Sequence, residues 1–246
     1  MDLSMKFEID QAFEIHRKTH PDADHSVFWT NRAAEKIREG GPHNSLGNNI
    51  VTNGISDFWQ TGARQAQRLL KIGSVVPSHR VVEYGCGSLR VAGHFIKLLD
   101  AGNFFGLDVI PDFYEMGVDN IGQALIEEKR PRMAVISSES VAEASAFQPD
   151  FVFAHAVIIH VHPDFVTELF QNLAAIASKP GAVLAFNVML HDPPVRYNEL
   201  GWAWPERFYS EQLPGFEVVD INRSPKLLDK GGYGIRGAML TFRRPE

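Results

Sequence analysis

The sequence predicts an α/β fold, and three features of the 246-residue chain predict it. Between His79 and Asp108 a short apolar run, Val81-Val82, ends in Glu83 and passes through the small-residue turn Gly85-Cys86-Gly87. Apolar residues then recur at Val91, Ala92, Phe95, Ile96 and Leu99, and a second apolar run from Asn103 to Leu107 ends in Asp108. That order reads strand, tight turn, helix, strand. Farther on, Phe151-Val152-Phe153-Ala154 is almost continuously apolar, as a strand covered by helices on both faces must be. Near the C-terminus, Phe216, Val218, Val219 and Ile221 and then Ala238, Leu240 and Phe242 flank the turn Gly231-Gly232, which reads as a hairpin.

The βαβ unit is built to hold a nucleoside. Glycines at 85 and 87 let the backbone turn sharply and let a ligand approach without meeting a Cβ, while the nearby helix start offers unpaired N–H groups to an anion. Asp108, 23 residues after Gly85, is placed at the tip of the neighbouring strand, where a carboxylate can accept from ribose hydroxyls. Two ligands fit. A dinucleotide such as NAD wants a third small residue three positions after the second glycine, and that position holds Arg90. S-adenosylmethionine, with a small zwitterionic amino-acid end, needs only the two glycines and an acid at the end of the first strand, which Glu83 supplies.

On these residues the chain resembles the class I, Rossmann-like S-adenosylmethionine-dependent methyltransferases. Val82-Glu83-Tyr84-Gly85-Cys86-Gly87 looks like their first motif and Gly106-Leu107-Asp108 like the acidic end of their second strand. Phe151 to Val161 looks like their fourth strand, and Lys179-Pro180-Gly181-Ala182-Val183-Leu184 like the turn that opens their fifth. The resemblance runs from about Val75 to the C-terminus. It implies a doubly wound, mostly parallel sheet of seven strands with helices on both faces, residues 75–246 forming the cofactor-binding domain behind a helical N-terminal extension of residues 1–74. It also implies that Glu83, Gly85 and Gly87 hold the methionine end and Asp108 the ribose, with Tyr84, Cys86, Val109 and Ala154 among the cofactor-binding residues. Ser138 or Glu139, with His155, is then expected on the adenine side and at the mouth of the site.

Composition bounds the function. A chain of this length with 44% hydrophobic residues can bury a real core. Its formal charge of −6 and the lack of a basic block argue against a broad nucleic-acid face. The single cysteine, Cys86, excludes an internal disulfide framework and suits a reducing cytoplasm. With no long apolar run and no signal-peptide pattern at the start, a cytoplasmic protein without membrane attachment is expected, with a homo-oligomer open.

In chain order, residues 1–73 read as helical and irregular, with a strongly amphipathic helix from Gly54 to Ile72 that packs on the sheet or caps the cofactor. The Gly- and Asn-rich stretch between Glu39 and Gly54 reads as a loop able to close over the site. His16, His20 and His25 have part of a metal spacing, but Pro21 interrupts the helix and no further ligand completes a site, so no metal is expected. Pro111 opens a helix carrying Phe113, Met116, Gly117, Ile121, Ala124 and Leu125; Met133 to Ile136 is the third strand, followed by a Ser-rich loop. Pro163 to Ser178 is an amphipathic helix stopped by Lys179-Pro180-Gly181, and Ala182 to Asn187 is the fifth strand.

The acceptor side is read from residue types. A hydroxyl acceptor loses its proton as oxygen attacks, and imidazole is the usual group for that work, so His155 and His191 are the candidate catalytic bases, with His160 read as a strand-end pin. The loop after the fifth strand carries Arg196, Tyr197, Trp202 and Trp204, a set able to stack on a planar or sugar-like acceptor and hold an anionic group. The function expected is methyl transfer from S-adenosylmethionine to a small-molecule acceptor, oxygen favoured over nitrogen. The alternatives are an NAD-dependent oxidoreductase, against which Arg90 stands, and a non-catalytic S-adenosylmethionine-binding protein whose acceptor pocket Trp202 and Trp204 fill.

Overall fold

A computed structural model describes residues 7–39 and 55–246. The predicted loop between Glu39 and Gly54 therefore lies outside the described residues, apart from its first residue. Three helices come first: α1 (Glu8–Thr19), α2 (His25–Arg38) and α3 (Ile55–Ile72). β1 (Val81–Tyr84), α4 (Ala92–Leu98) and β2 (Phe104–Asp108) make the central unit, followed by α5 (Pro111–Ile121), α6 (Gln123–Lys129), β3 (Arg132–Val135) and α7 (Ser138–Ala146). Next come β4 (Phe151–Ala154), a single 3-10 turn (Ile158–His160), α8 (Pro163–Ile176) and β5 (Val183–Leu190). The chain ends with β6 (Val195–Asn198), β7 (Gly201–Ala203), α9 (Glu206–Glu211), β8 (Glu217–Arg223), β9 (Leu228–Lys230) and β10 (Tyr233–Arg243).

The main sheet runs β3-β2-β1-β4-β5-β10-β8, with β9 paired to β10 off this path. Strands β3 to β5 are parallel, with Glu83 beside Gly106 on one side and Phe153 on the other, while β10 runs antiparallel between β5 and β8. Strand order reverses between β1 and β4, and in open α/β sheets the crevice at the carboxyl ends of such a pair is where ligands bind. Every residue of β1, β2 and β4 is buried, which is why these strands read as continuous apolar runs rather than alternating ones.

Alternate side chains feed two cores. On one face Val82, Tyr84 and Phe105 join Val141 of α7 and Leu169, Phe170 and Leu173 of α8. On the other, Val81, Phe151 and Phe153 join Phe95 and Ile96 of α4 and Ala66 and Leu69 of α3. Phe95 stacks on Phe153 at 4.8 Å between centroids, and each such fully buried ring contributes about 1.5–3 kcal/mol by leaving water. The apolar stripe expected on the third helix thus seals one face of the sheet through Ala66 and Leu69. Helix α1 is fixed differently, by Asp10, whose carboxylate takes a two-pronged ion pair from Arg196.

Three elements differ from the sequence reading. The helix opened by Pro111 breaks at Gly122, whose φ of +95° no helix accommodates, so Ala124 and Leu125 belong to a separate helix, α6. The Ser-rich stretch expected as loop is the start of α7, because Ser137 accepts from Ser140 N–H and Ser140 reciprocates at Ser137 N–H, a capping box. The long loop after the fifth strand is largely ordered: β5 continues to Leu190, and β6 and β7 pair with Arg196 opposite Trp202.

Candidate functional site

The carboxyl ends of β1, β2 and β4 open into a cavity of about 790 Å³, within the range of about 300–1,000 Å³ usual for small-molecule sites. Its floor is the first motif. Glu83, next to last in β1, has one carboxylate oxygen, Oε2, buried and without a hydrogen-bond partner. Burial pushes its carboxyl well above the usual range, nearby Asp108 adds to the rise, and Arg90 opposes it. The turn that follows needs glycine: Gly85 and Gly87 have φ of +77° and +51°, where a Cβ is strained. At Gly85 a Cβ would also meet Val157 at 2.3 Å, whereas at Gly87 it would meet nothing within 4 Å. Gly87 thus leaves an open approach to the backbone.

Asp108 stands at the end of β2 and is tied to this turn. Its Oδ2 accepts from Gly87 N–H (2.7 Å) and its Oδ1 from Val109 N–H (2.8 Å). Burial raises its carboxyl to about 6 although these amide donors pull the other way. Ile110 N–H also acts on this carboxylate, and of its roughly four lone-pair directions at least one remains to accept from a ligand hydroxyl. One expectation changes here: Gly87 N–H is engaged by Asp108, so the turn holds the carboxylate and is not a free anion cradle.

Of the residues expected to hold cofactor, Glu83 to Gly87, Asp108, Val109 and His155 line the cavity. Ser138, Glu139 and Ala154 do not. Ser138 and Glu139 face solvent on the first turn of α7, and Ala154 is enclosed in β4, so Ile136, two residues ahead of Ser138, forms that part of the wall. His155 is pushed down to about 4 by burial, with Arg90 and Arg68 adding to the fall, and is neutral near pH 7.

The other expected catalytic histidine and all the expected substrate residues lie off this cavity. His191 is bonded to its own loop, Nδ1–H donating to the Pro193 carbonyl (2.7 Å), and borders a separate surface groove with Asp192 and Arg207. Arg196 is buried, paired with Asp10 and placed over the rings of Phe7 and Trp202 at 4.5 and 5.0 Å. Tyr197 packs with Val195, Ala203 and Ile235, and Trp204 stacks on Phe208 at 4.3 Å. These groups hold the β6–β7 hairpin to the sheet and to α1. They do so as core and buried ion pair, which explains why a planar, cationic and aromatic set stands in one stretch without facing a ligand.

Other residues take the far wall. Asp24, whose Oδ1 accepts from Val27 N–H (2.9 Å) and so caps α2, lines the cavity together with Trp29. From α8 come Phe165, Glu168 and Asn172, and Asn172 donates to the Tyr84 hydroxyl (3.1 Å). The turn between β6 and β7 adds Glu199 and Leu200, and the Leu200 carbonyl accepts from His160 Nδ1–H (2.7 Å). His160 therefore pins a turn, as its position suggested, while also lining the cavity beneath the Trp29 ring (6.0 Å between centroids). Arg90, which the sequence offered only as an obstacle to NAD, lines the cavity too, with Nε buried and unpartnered. The early histidines divide: His16 stacks on His20 at 4.2 Å, while His25 is buried beside His162 with neither ring nitrogen hydrogen-bonded.

No helix among the described residues is long and apolar enough to cross a membrane. No protein-family model and no curated protein matches the sequence. Solved structures do match in shape. The 1,6-didemethyltoxoflavin-N1-methyltransferase of Burkholderia thailandensis, solved with bound 1,6-didemethyltoxoflavin and S-adenosylhomocysteine, matches over 100% of this chain and 94% of its own at TM-score 0.58 and 16% identity. Magnesium protoporphyrin IX methyltransferase from Synechocystis PCC 6803, with bound S-adenosylhomocysteine, covers 87% of this chain and 94% of its own at TM-score 0.56 and 14% identity. The (4+2)-cyclase SpnF covers 76% and 82% at TM-score 0.59 and 14% identity. What these likenesses show is the fold: this chain has the mostly parallel, Rossmann-like architecture of the class I S-adenosylmethionine-dependent methyltransferases.

Proposed function

We propose that the chain binds S-adenosylmethionine and transfers its methyl group to a small-molecule acceptor. The observation that carries the reading is the floor of the cavity, where a buried orphan oxygen of Glu83, a Cβ-free approach at Gly87 and the Asp108 carboxylate face one space. An unpaired buried carboxylate is costly, and a ligand bearing an ammonium group offsets that cost. Glu83 then accepts from the methionine amino group, Asp108 from the ribose hydroxyls, and Ile136 with Val109 flanks the adenine. When bound, S-adenosylmethionine supplies a methyl carbon already activated by its sulfonium.

The protein's own part is placement. Phe165 and Leu169 on α8 and Trp29 on α2 add apolar surface to the cavity wall, against which an acceptor can be oriented. His155, pushed down to about 4 by burial, is neutral near pH 7 and only a weak base, so it lends the hydroxyl expectation little proton-removing power. His160 is lowered as well by burial, and the Leu200 carbonyl fixes its Nδ1 as the donor. NAD is disfavoured by Arg90 in the position where its fingerprint wants a small residue. Trp202 and Trp204 leave the cavity unfilled, so nothing in their placement favours a non-catalytic binder.

Isothermal calorimetry with S-adenosylhomocysteine and with NAD tests the reading. Binding of the first and not the second is expected, weakened tenfold or more in Asp108→Ala. Binding of NAD alone, or unchanged affinity in that variant, overturns it.

A further inference from the structure

We propose that Asn187 is a positioning residue for the cofactor: its side-chain oxygen holds the turn His155-Ala156-Val157, which follows β4, in a strained shape that completes the glycine side of the cavity. This deepens the reading that this side holds S-adenosylmethionine, and rests on it. All three turn residues line the cavity. Ala156 has a φ of +59°, a left-handed conformation that an alanine adopts only where its surroundings impose it. Alanine has no polar side chain with which to stabilise that shape locally, as Asn or Asp would. Asn187 supplies the restraint, its Oδ1 accepting from Ala156 N–H at 2.6 Å. The sheet puts it in place: Ala154, the last residue of β4, pairs with Phe186 on β5, and Asn187 comes next, so its side chain takes over where the backbone ladder stops. The far end of the turn is tied too, because the Val157 carbonyl accepts from His160 N–H (2.8 Å).

Packing alone does not account for an amide at this position. Alternate residues of a strand share a face, and Asn187 shares its face with Val183 and Ala185 and stands directly opposite Met239 of β10. Those three are buried in the apolar core with Phe151 and Phe153. A fourth apolar side chain would continue that face; asparagine brings an oxygen instead. What the oxygen secures is Val157. Its side chain lies so close to Gly85 that a Cβ there would meet it at 2.3 Å, so the turn after β4 and the glycine turn after β1 have one mutual placement. Were Ala156 to relax to a right-handed φ, the peptide beyond it would swing, taking Val157 off Gly85 and displacing the wall that His155 shares. A preformed site spares its ligand that ordering cost, which is how a residue that does not itself line the cavity affects affinity.

Calorimetry with S-adenosylhomocysteine on variants of the full chain tests this. Asn187→Ala is expected to lose about tenfold or more in affinity, and Asn187→Asp, which keeps an oxygen able to accept from Ala156 N–H, to stay within about threefold of the unaltered chain. Glycine takes a left-handed shape without a Cβ penalty, so adding Ala156→Gly to Asn187→Ala is expected to recover about threefold or more. A residue that merely packed β5 on β10 would give neither the difference between alanine and aspartate nor a rescue by a change at 156. Where circular dichroism shows Asn187→Ala unfolded, Asn187→Leu, of similar shape but without the oxygen, takes its place with the same expectation. Unchanged affinity in the variant lacking the oxygen, equal loss in Asn187→Asp, or no recovery in the double variant overturns the proposal. Failure of the unaltered chain to bind S-adenosylhomocysteine overturns the cofactor reading instead, and is seen before any variant is made.

Discussion

The two walls of the cavity are built by opposite means. The glycine wall is local and made by backbone: Glu83 to Gly87 is one unbroken stretch, and Asp108 is locked to it through Gly87 N–H. The facing wall is assembled from α2, α8 and the β6–β7 turn, and side chains hold it: His160 to the Leu200 carbonyl, Arg196 to the Glu199 carbonyl, and Asp10 of α1 to Arg196 behind the turn. A wall made of strand tips and positive-φ glycines tolerates almost no substitution. A wall made of side chains on separate elements can change its chemistry while the sheet stays as it is. The ligand common to a fold belongs on the first kind of wall, and the ligand peculiar to one protein on the second.

The strongest way to break the first wall is Gly85→Val. The valine must hold a φ of +77° and meets Val157 at 2.3 Å from its Cβ, so left-handed strain of about 1–2 kcal/mol adds to overpacking of about 1–3. Denaturant unfolding is expected to show a loss of about 2–5 kcal/mol, and S-adenosylhomocysteine binding a fall of a hundredfold or more. Retained affinity would mean that the turn is not where the ligand lies.

The second wall is loosened at its hinge by Asp10→Ala. Arg196, 5% exposed, is left without its carboxylate, and removing one partner of a buried pair costs about 3–5 kcal/mol. The residual carbonyl contact at Glu199 keeps the loss toward the lower figure. Trp29 fluorescence is expected to shift, because α1 packs on α2 through Phe13 against His25 and Phe28, while S-adenosylhomocysteine affinity stays within about threefold. Equal loss of both would show that the walls are one unit.

A finer test concerns the charges of the glycine wall. Asp108 is raised from 3.8 to about 6, so the folded chain holds its proton where the unfolded chain has lost it. Stability of the ligand-free protein is therefore full in acid and falls as pH rises through that window. Glu83, raised in the same direction, adds to the fall above 4.5. Chemical denaturation at stepped pH is expected to show this decline, flattened in Asp108→Asn. In Glu83→Gln the slope above 4.5 weakens, and S-adenosylhomocysteine affinity drops about tenfold because a neutral amide replaces the acceptor carboxylate.

How much of this the sequence carries follows from the same contrast. β1, β2, β4 and the glycine turn are legible because burial on both faces and left-handed φ leave direct marks: Val81-Val82, Phe151 to Ala154, Gly85 and Gly87. The α7 start was open to reading as well, since Ser137 and Ser140 are a capping pair, but the serines resemble a loop unless their spacing is used. Asp24, Glu168 and Glu199 carry no mark. Each is an ordinary polar residue of a helix cap, a helix face or a turn, and only packing brings them to one cavity. The reverse error has the same origin: Arg196, Tyr197, Trp202 and Trp204 have the composition of a binding surface, and tertiary contact turns them inward, where Arg196 serves Asp10 and the rings serve the core.

The smallest expected effect is the one that most directly separates composition from placement. His191 was a candidate base because it follows the fifth strand at the end of the sheet where ligands bind. Its Nδ1–H is taken by the Pro193 carbonyl, its ring lies against Tyr233 at 5.5 Å, and it borders a groove distinct from the cavity that holds Glu83 and Asp108. A group that neither touches the reacting atoms nor holds an element that does has no route to the rate. His191→Ala is expected to change kcat and KM for methyl transfer by less than about twofold, and stability by less than about 1 kcal/mol, since one local hydrogen bond and one partly exposed ring contact are lost. A tenfold fall in kcat with KM unchanged would place the chemistry in the outer groove, and the contrast between the two walls would then describe the wrong cavity.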